Sequence, residues 1–193
     1  MTAQGAAADD AAAAGSVDVA PVPAGGRDAG LAARLEEQEH RLQLDGFDND
    51  DAWRLGCLLV ELARERGHAV AIDVRRGDHQ LFHCALPGTT PDNDTWIERK
   101  VRVVRRFERS SFQVGQRHRD NGTTFEAATP HLDPALYAAH GGCFPIRVRG
   151  VGVVGTVTVS GLPQAEDHAL VVEGLESYLG LDRDRDDDIP SGS

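Results

Sequence analysis

The sequence predicts a single α/β domain, and three observations carry that expectation. A chain of 193 residues that is 40% hydrophobic and 26% charged suits one globular unit around one core. Two stretches, 69–86 and 143–161, show the β-branched alternation and central turns of hairpins. The segments around them repeat apolar residues at three- and four-residue spacing, so the order reads helices, hairpin, helices, hairpin, helix.

Residues 1–27 are rich in Ala, Gly and Pro, lack the basic and apolar regions of a secretory signal, and are expected to form a disordered leader. The domain is expected over 28–181. Asp28 can cap a first helix that repeats Leu31, Leu35 and Leu42. "FDNDDAWRLGCLLVELARERG" opens with acids and closes with bases before Gly67, matching a helix dipole, and a wide stripe of Trp53, Cys57, Leu59, Val60 and Ala63 is expected to face the core.

The first hairpin runs Ala69–Arg75 and Gln80–Leu86 around Arg76, Gly77 and Asp78. Thr90 and Pro91 then form a cap and first-turn pair for a long amphipathic helix carrying Trp96, Ile97, Val101, Val104 and Phe107. Residues 110–137 are mixed and polar, with a short helix near Ser111–Arg119, a loop, and a helical turn after Pro134. "CFPIRVRGVGVVGTVTVSG" supplies the second hairpin. The last helix is expected to place Ala165, Ala169, Val172, Leu175 and Leu179 on one face, with Gly180 beyond its end. Residues 182–193, with five Asp against two Arg, read as an acidic flexible tail.

Composition excludes some functions. A net charge of −11 and a pI near 5.1 repel phosphate backbones and anionic lipid, so neither nucleic acid nor a membrane is an expected partner. No run approaches the roughly 20 apolar residues of a bilayer span, and a cytoplasmic location is expected. Cys57, Cys84 and Cys143 are odd in number and widely spaced, giving neither a disulfide framework nor a zinc motif. Gly150, Gly152 and Gly155 have the G-x-G-x-x-G spacing of a dinucleotide loop, but a strand-like "TVTVS" follows where a helix N-terminus should meet the pyrophosphate, so NAD is not an expected cofactor.

"TTPDNDTWIERKVRVVRRFERSS", "HGGCFPIRVRGVGVVGTVTVSGLPQAEDH" and "VVEGL" resemble a branch of the haem-degrading-domain superfamily, the group of GlcG-like, HbpS-like and PduO C-terminal-like proteins, and the likeness spans roughly residues 30–180. It implies an antiparallel sheet of about five strands flanked by helices, assembled as a homo-oligomer. Superfamily members are associated with haem, corrinoid-like tetrapyrroles or iron, and this branch has no assigned activity. Fold transfers through such a likeness more securely than function.

Candidate site residues follow. In "HGGCFPI", Gly141 and Gly142 allow close backbone approach beside His140, while Pro145 restricts the strand entrance; the block suits either a turn into a strand or a ligand-contacting loop, and the superfamily carries a similar block near its cavity. No histidine pair forms H-x-H, and the one pair at H-x-x-x-H spacing, His79 and His83, lies in a strand-like run rather than on a helix face; His140 and His118 remain for single-residue ligation, and no metal cluster is expected. Arg99, Arg102, Arg105, Arg106 and Arg109 make a basic stripe in an acidic chain. It is either a solvated or salt-bridged face or, through Arg99 and Lys100 with Ser110 and Ser111, a clamp for a ligand carboxylate. Ser160 lies outside a G-x-S-x-G elbow, and Asp167 and His168 sit where acids complement a helix dipole, so no catalytic residue is assigned. The leading expectation is an oligomeric binding or accessory protein for a small anionic ligand, with haem or another tetrapyrrole among the ligands considered. An enzyme acting on such a ligand or another metabolite, and a protein-interaction module, are the alternatives.

Overall fold

A computed structural model of the chain describes residues 30–181. The expected leader, Asp28 and the acidic tail lie outside the described residues. The elements are α1 (Leu31–Arg41), β1 (Gln43–Leu44), α2 (Asn49–Glu65), β2 (Ala71–Arg76), β3 (His79–Ala85), α3 (Pro91–Phe107), α4 (Ser111–Asp120), α5 (Phe125–Ala128), β4 (Cys143–Val148), β5 (Gly152–Ser160) and α6 (Gln164–Leu179). The strands form one five-stranded sheet in the order β1-β4-β5-β2-β3. Three of its four pairings are antiparallel, and the two-residue β1 runs parallel to β4.

Alternation along the strands assigns the two faces. Ile72, Val74, Phe144, Ile146, Val157 and Val159 point into an apolar core under α2 and α6. Their neighbours are small or polar: Ala71 and Cys143 meet Ile97, Val101 and Val104 of α3, while Asp73, Thr156 and Thr158 are buried without joining that cluster. The main core therefore sits on the α2–α6 side, and α3 covers the more polar face. Asp73 is fully buried there and accepts from Arg75 Nε at 2.6 Å, while Arg75 also reaches Glu98 of α3.

Local chemistry explains the element boundaries. Asp48 caps α2 through a reciprocal box with Asp51, and Thr90 does the same for α3 with Asn93. Gly150 at φ +73° and Gly152 at φ +110° make the turn between β4 and β5, and Gly155 lies inside β5, where an added Cβ would sit 2.1 Å from Arg75 O. The G-x-G-x-x-G spacing thus belongs to a hairpin whose second strand continues to Ser160.

Two expected faces are corrected. Trp53 is 62% exposed, because α2 buries Ala52, Leu55, Gly56, Leu59 and Ala63 instead. The Phe82 ring packs where a Gly56 side chain would stand, 2.4 Å from an added Cβ, and Trp53 meets that ring edge-on from the exposed side, centroids 5.8 Å apart. On α6, Ala165 and Ala169 are exposed, and Asp167, His168, Leu170 and Val171 are buried. The polar residues at the start of α6 are drawn inward by partners on α1 and α3. Among the described residues, no helix is long and apolar enough to cross a membrane.

Candidate functional site

At the end of the sheet where β5 finishes and β4 begins, the first half of α3, the His140 loop and the start of α6 enclose a cleft of about 280 Å³. Trp96, Lys100, His140, Gly161, Gln164 and Asp167 are among its walls. Lys100 is only 3% exposed, and a buried ammonium requires a counter-charge and acceptors. It donates to Asp167 Oδ2 at 2.7 Å and to Val159 O at 3.1 Å. Asp167 completes its own shell by accepting from Leu162 N–H at 2.9 Å. Burial pushes the Asp167 carboxyl above the ordinary range, and Lys100 and the backbone donors oppose that.

The two glycines make this pairing sterically possible. At Gly142, φ is +118°, and a Cβ would stand 2.4 Å from Val159 O and 2.6 Å from Lys100 Nζ. At Gly141 it would stand 1.9 Å from Gln164 O. The chain therefore threads between the N-terminus of α6 and the Lys100–Asp167 pair, a passage closed to larger residues.

His140 stands at the cleft mouth with its ring edge-on to Trp96, centroids 5.3 Å apart, and its imidazole has no hydrogen-bond partner among the described residues. Desolvation lowers its pKa, and Lys100 and Arg99 act in the same direction against Glu126. Arg99 stacks over the Trp96 ring at 4.2 Å and donates to Pro134 O at 3.0 Å, while its buried Nε has no hydrogen-bond partner among the described residues.

The structure brings Lys100, His140, Gly141 and Gly142 together, with Arg99 alongside. It places the other expected site residues elsewhere. Ser110 caps α4 by accepting from Gln113 N–H at 3.2 Å. Ser111 Oγ donates to Cys143 O and accepts from Cys143 N–H, docking α4 onto β4. Pro145 is buried in β4 opposite Thr156. His118 packs edge-on to Phe125. The basic stripe disperses: Arg102 reaches Leu136 O, Arg105 pairs with Asp78, and Arg109 lies 3.5 Å from Glu39. Sequence reasoning missed Asp167 as the partner of Lys100. The signal was Lys100 itself, which shares the buried face of α3 with Ile97, Val101 and Val104 and so had to find an internal acid.

A family model described as "Haem degrading protein HbpS-like" matches residues 47–176. A UPF0303 protein of Streptomyces coelicolor is 65% identical over 148 residues, covering 77% of this chain and 93% of its own. One from Rhizobium etli is 51% identical over 152 residues, covering 79% and 92%. The crystal structure of the Ybr137w protein superposes with a TM-score of 0.71 at 32% identity, covering 79% of this chain and 89% of that one. HbpS itself, at 19% identity and a TM-score of 0.56 over 72% and 93% of the two chains, shares the fold. So does the PduOC chain of a haem complex, at 13% identity and 0.58 over 69% and 94%. The match over most of the described domain, together with these relatives, places the chain in the HbpS-like family, in its UPF0303 branch.

Proposed function

We propose that the protein is an oligomeric binding or accessory protein whose α3–α6 cleft takes a small carboxylate-bearing ligand of the tetrapyrrole class. The observation that carries this reading is a set of unmet polar atoms around one cleft. Lys100 uses two of its three N–H groups internally and the His140 ring has a nitrogen to offer, while beside the cleft the buried Arg99 Nε–H has no acceptor among the described residues. Such groups suit an anion and a metal-bearing or hydrogen-bonding centre beside it.

The residues present fit the edge of a haem group. In the cleft wall Trp96 supplies an aromatic face and His140 a ring nitrogen for iron, while Arg99, stacked on Trp96 outside that wall, would turn its guanidinium to a propionate. Bound iron would add redox chemistry. The cleft of about 280 Å³ lies at the small end of ligand sites, which run to ~1,000 Å³, so one protomer covers part of a macrocycle and a neighbouring copy would cover the rest. This chain's residues would bind and orient the ligand. Asp167 fixes the Lys100 ammonium, and Gly141 and Gly142 let the backbone pass closely against Lys100 and the start of α6.

The test is a haemin titration followed by absorption. A saturable Soret shift in the wild type is expected, lost in His140→Ala. Arg99→Gln is expected to weaken carboxylate-dependent affinity by about 1.5–3 kcal/mol. A shift unaffected by both changes would move the site elsewhere.

A further inference from the structure

A second cleft, of about 320 Å³, opens at the opposite end of the sheet, between the end of α1, the α3–α4 junction and the β4–β5 turn. Its inner wall is Glu39, which is only 2% exposed. One carboxylate oxygen is committed, since Glu39 Oε1 accepts from Ser110 N–H at 2.7 Å, at the N-terminus of α4. The other, Oε2, is buried and receives no hydrogen bond among the described residues. The nearest cations, Arg109 Nη1 at 3.5 Å and Arg147 Nη2 at 3.8 Å, are too distant for good hydrogen bonds and flank the same space. Arg147 is held in place by donating to Glu108 O. In a chain of net charge −11, this cleft places two guanidiniums against one carboxylate.

A ligand completing this arrangement must accept hydrogen bonds from two arginines and also donate one to Glu39 Oε2. We propose that the cleft is a binding site for a small oxyanion that keeps an O–H of its own, hydrogen phosphate being the probe of that class. Its unprotonated oxygens meet Arg109 and Arg147, and its hydroxyl donates to Glu39. The carboxylate is then a selectivity element. Sulfate, which has no proton near neutral pH, would set an oxygen lone pair against Oε2. A phosphomonoester with a second pKa of about 6 is a proton-free dianion at pH 8 and meets the same repulsion.

The experiment is titration calorimetry of the full chain in phosphate-free buffer at pH 8, with hydrogen phosphate, sulfate and methyl phosphate in turn. Saturable phosphate binding is expected, with sulfate and methyl phosphate weaker by about tenfold or more. Glu39→Gln keeps an oxygen for Ser110 and turns an N–H toward the cleft, so it should reverse the preference in favour of sulfate. Arg109→Gln, on a half-exposed side chain that no core packing requires, should lower phosphate affinity roughly tenfold with unchanged thermal melting. It keeps the test valid should the Glu39 variant fail to fold. Absence of saturable phosphate binding, equal affinity for sulfate, or unchanged binding in Arg109→Gln would overturn the proposal. His140→Ala leaves this site untouched, which separates its outcome from that of the haemin test.

Discussion

Gly142 and Gly150 both have positive φ, yet only Gly142 has neighbours that an added Cβ would strike. Gly142→Ala is therefore expected to cost about 2–4 kcal/mol, and Gly150→Ala about 1 kcal/mol, in urea unfolding. The same measurement tests the ion pair beside Gly142. Asp167→Asn leaves the buried Lys100 charge alone and should cost about 3–5 kcal/mol, part of which a paired Lys100→Met change should restore. His168 gives the residue scale a pH signature. Wedged between Phe112 and Phe144, with Nε2 on Gln38 Oε1 at 2.9 Å, its imidazole is pushed down by burial to about 4. Below its ordinary value of 6.5 the unfolded chain takes up a proton that the folded chain refuses, so this group's contribution, present above 6.5, is lost as pH falls toward about 4. The loss amounts to at most about 3 kcal/mol. The buried Glu39 and Asp167 carboxyls, with raised pKa values, act in the opposite sense, but in wild type and variant alike. The stability difference between wild type and His168→Gln, followed from pH 7 to 4, should therefore fall with pH; a flat difference would refute the role given to His168.

At the scale of elements, long periodic segments with chemical punctuation were readable from sequence. Thr90–Pro91 marked the start of α3, the Gly77–Asp78 turn closed the first hairpin, and Gly180 at φ +72° ended α6. What was not readable depended on partners distant in sequence. β1 has two residues and exists only because β4 offers an edge, and α5 is one turn held by Thr124 and the packing of Phe125. The buried face of α2 was misread because periodicity cannot say that Phe82 fills the notch at Gly56. Gly56→Ala should accordingly destabilise by about 1–3 kcal/mol despite alanine's better helix propensity, as thermal melting would show. The candidate site was half legible: the His140-Gly141-Gly142 block and Lys100 do converge, whereas Ser110, Ser111 and most of the arginine stripe secure neighbouring elements.

For the whole molecule, the sheet separates two clefts. One, at the β5–α6 end, combines an indole, an imidazole and a neutralised lysine; the other, at the β4–β5 turn, combines two arginines with a buried carboxylate. If the α3–α6 cleft takes a macrocycle as proposed, its small volume predicts an oligomer in which a second copy encloses what one leaves open. Light scattering at micromolar concentration should give a mass above the 20.7 kDa of one chain. The most direct test of the central claim is absorption of the purified full chain titrated with haemin, with His140→Ala run in parallel. A saturable Soret shift in the wild type that disappears in the variant is the expected result. A wild-type protein that leaves the haemin spectrum unchanged would contradict tetrapyrrole binding at this cleft.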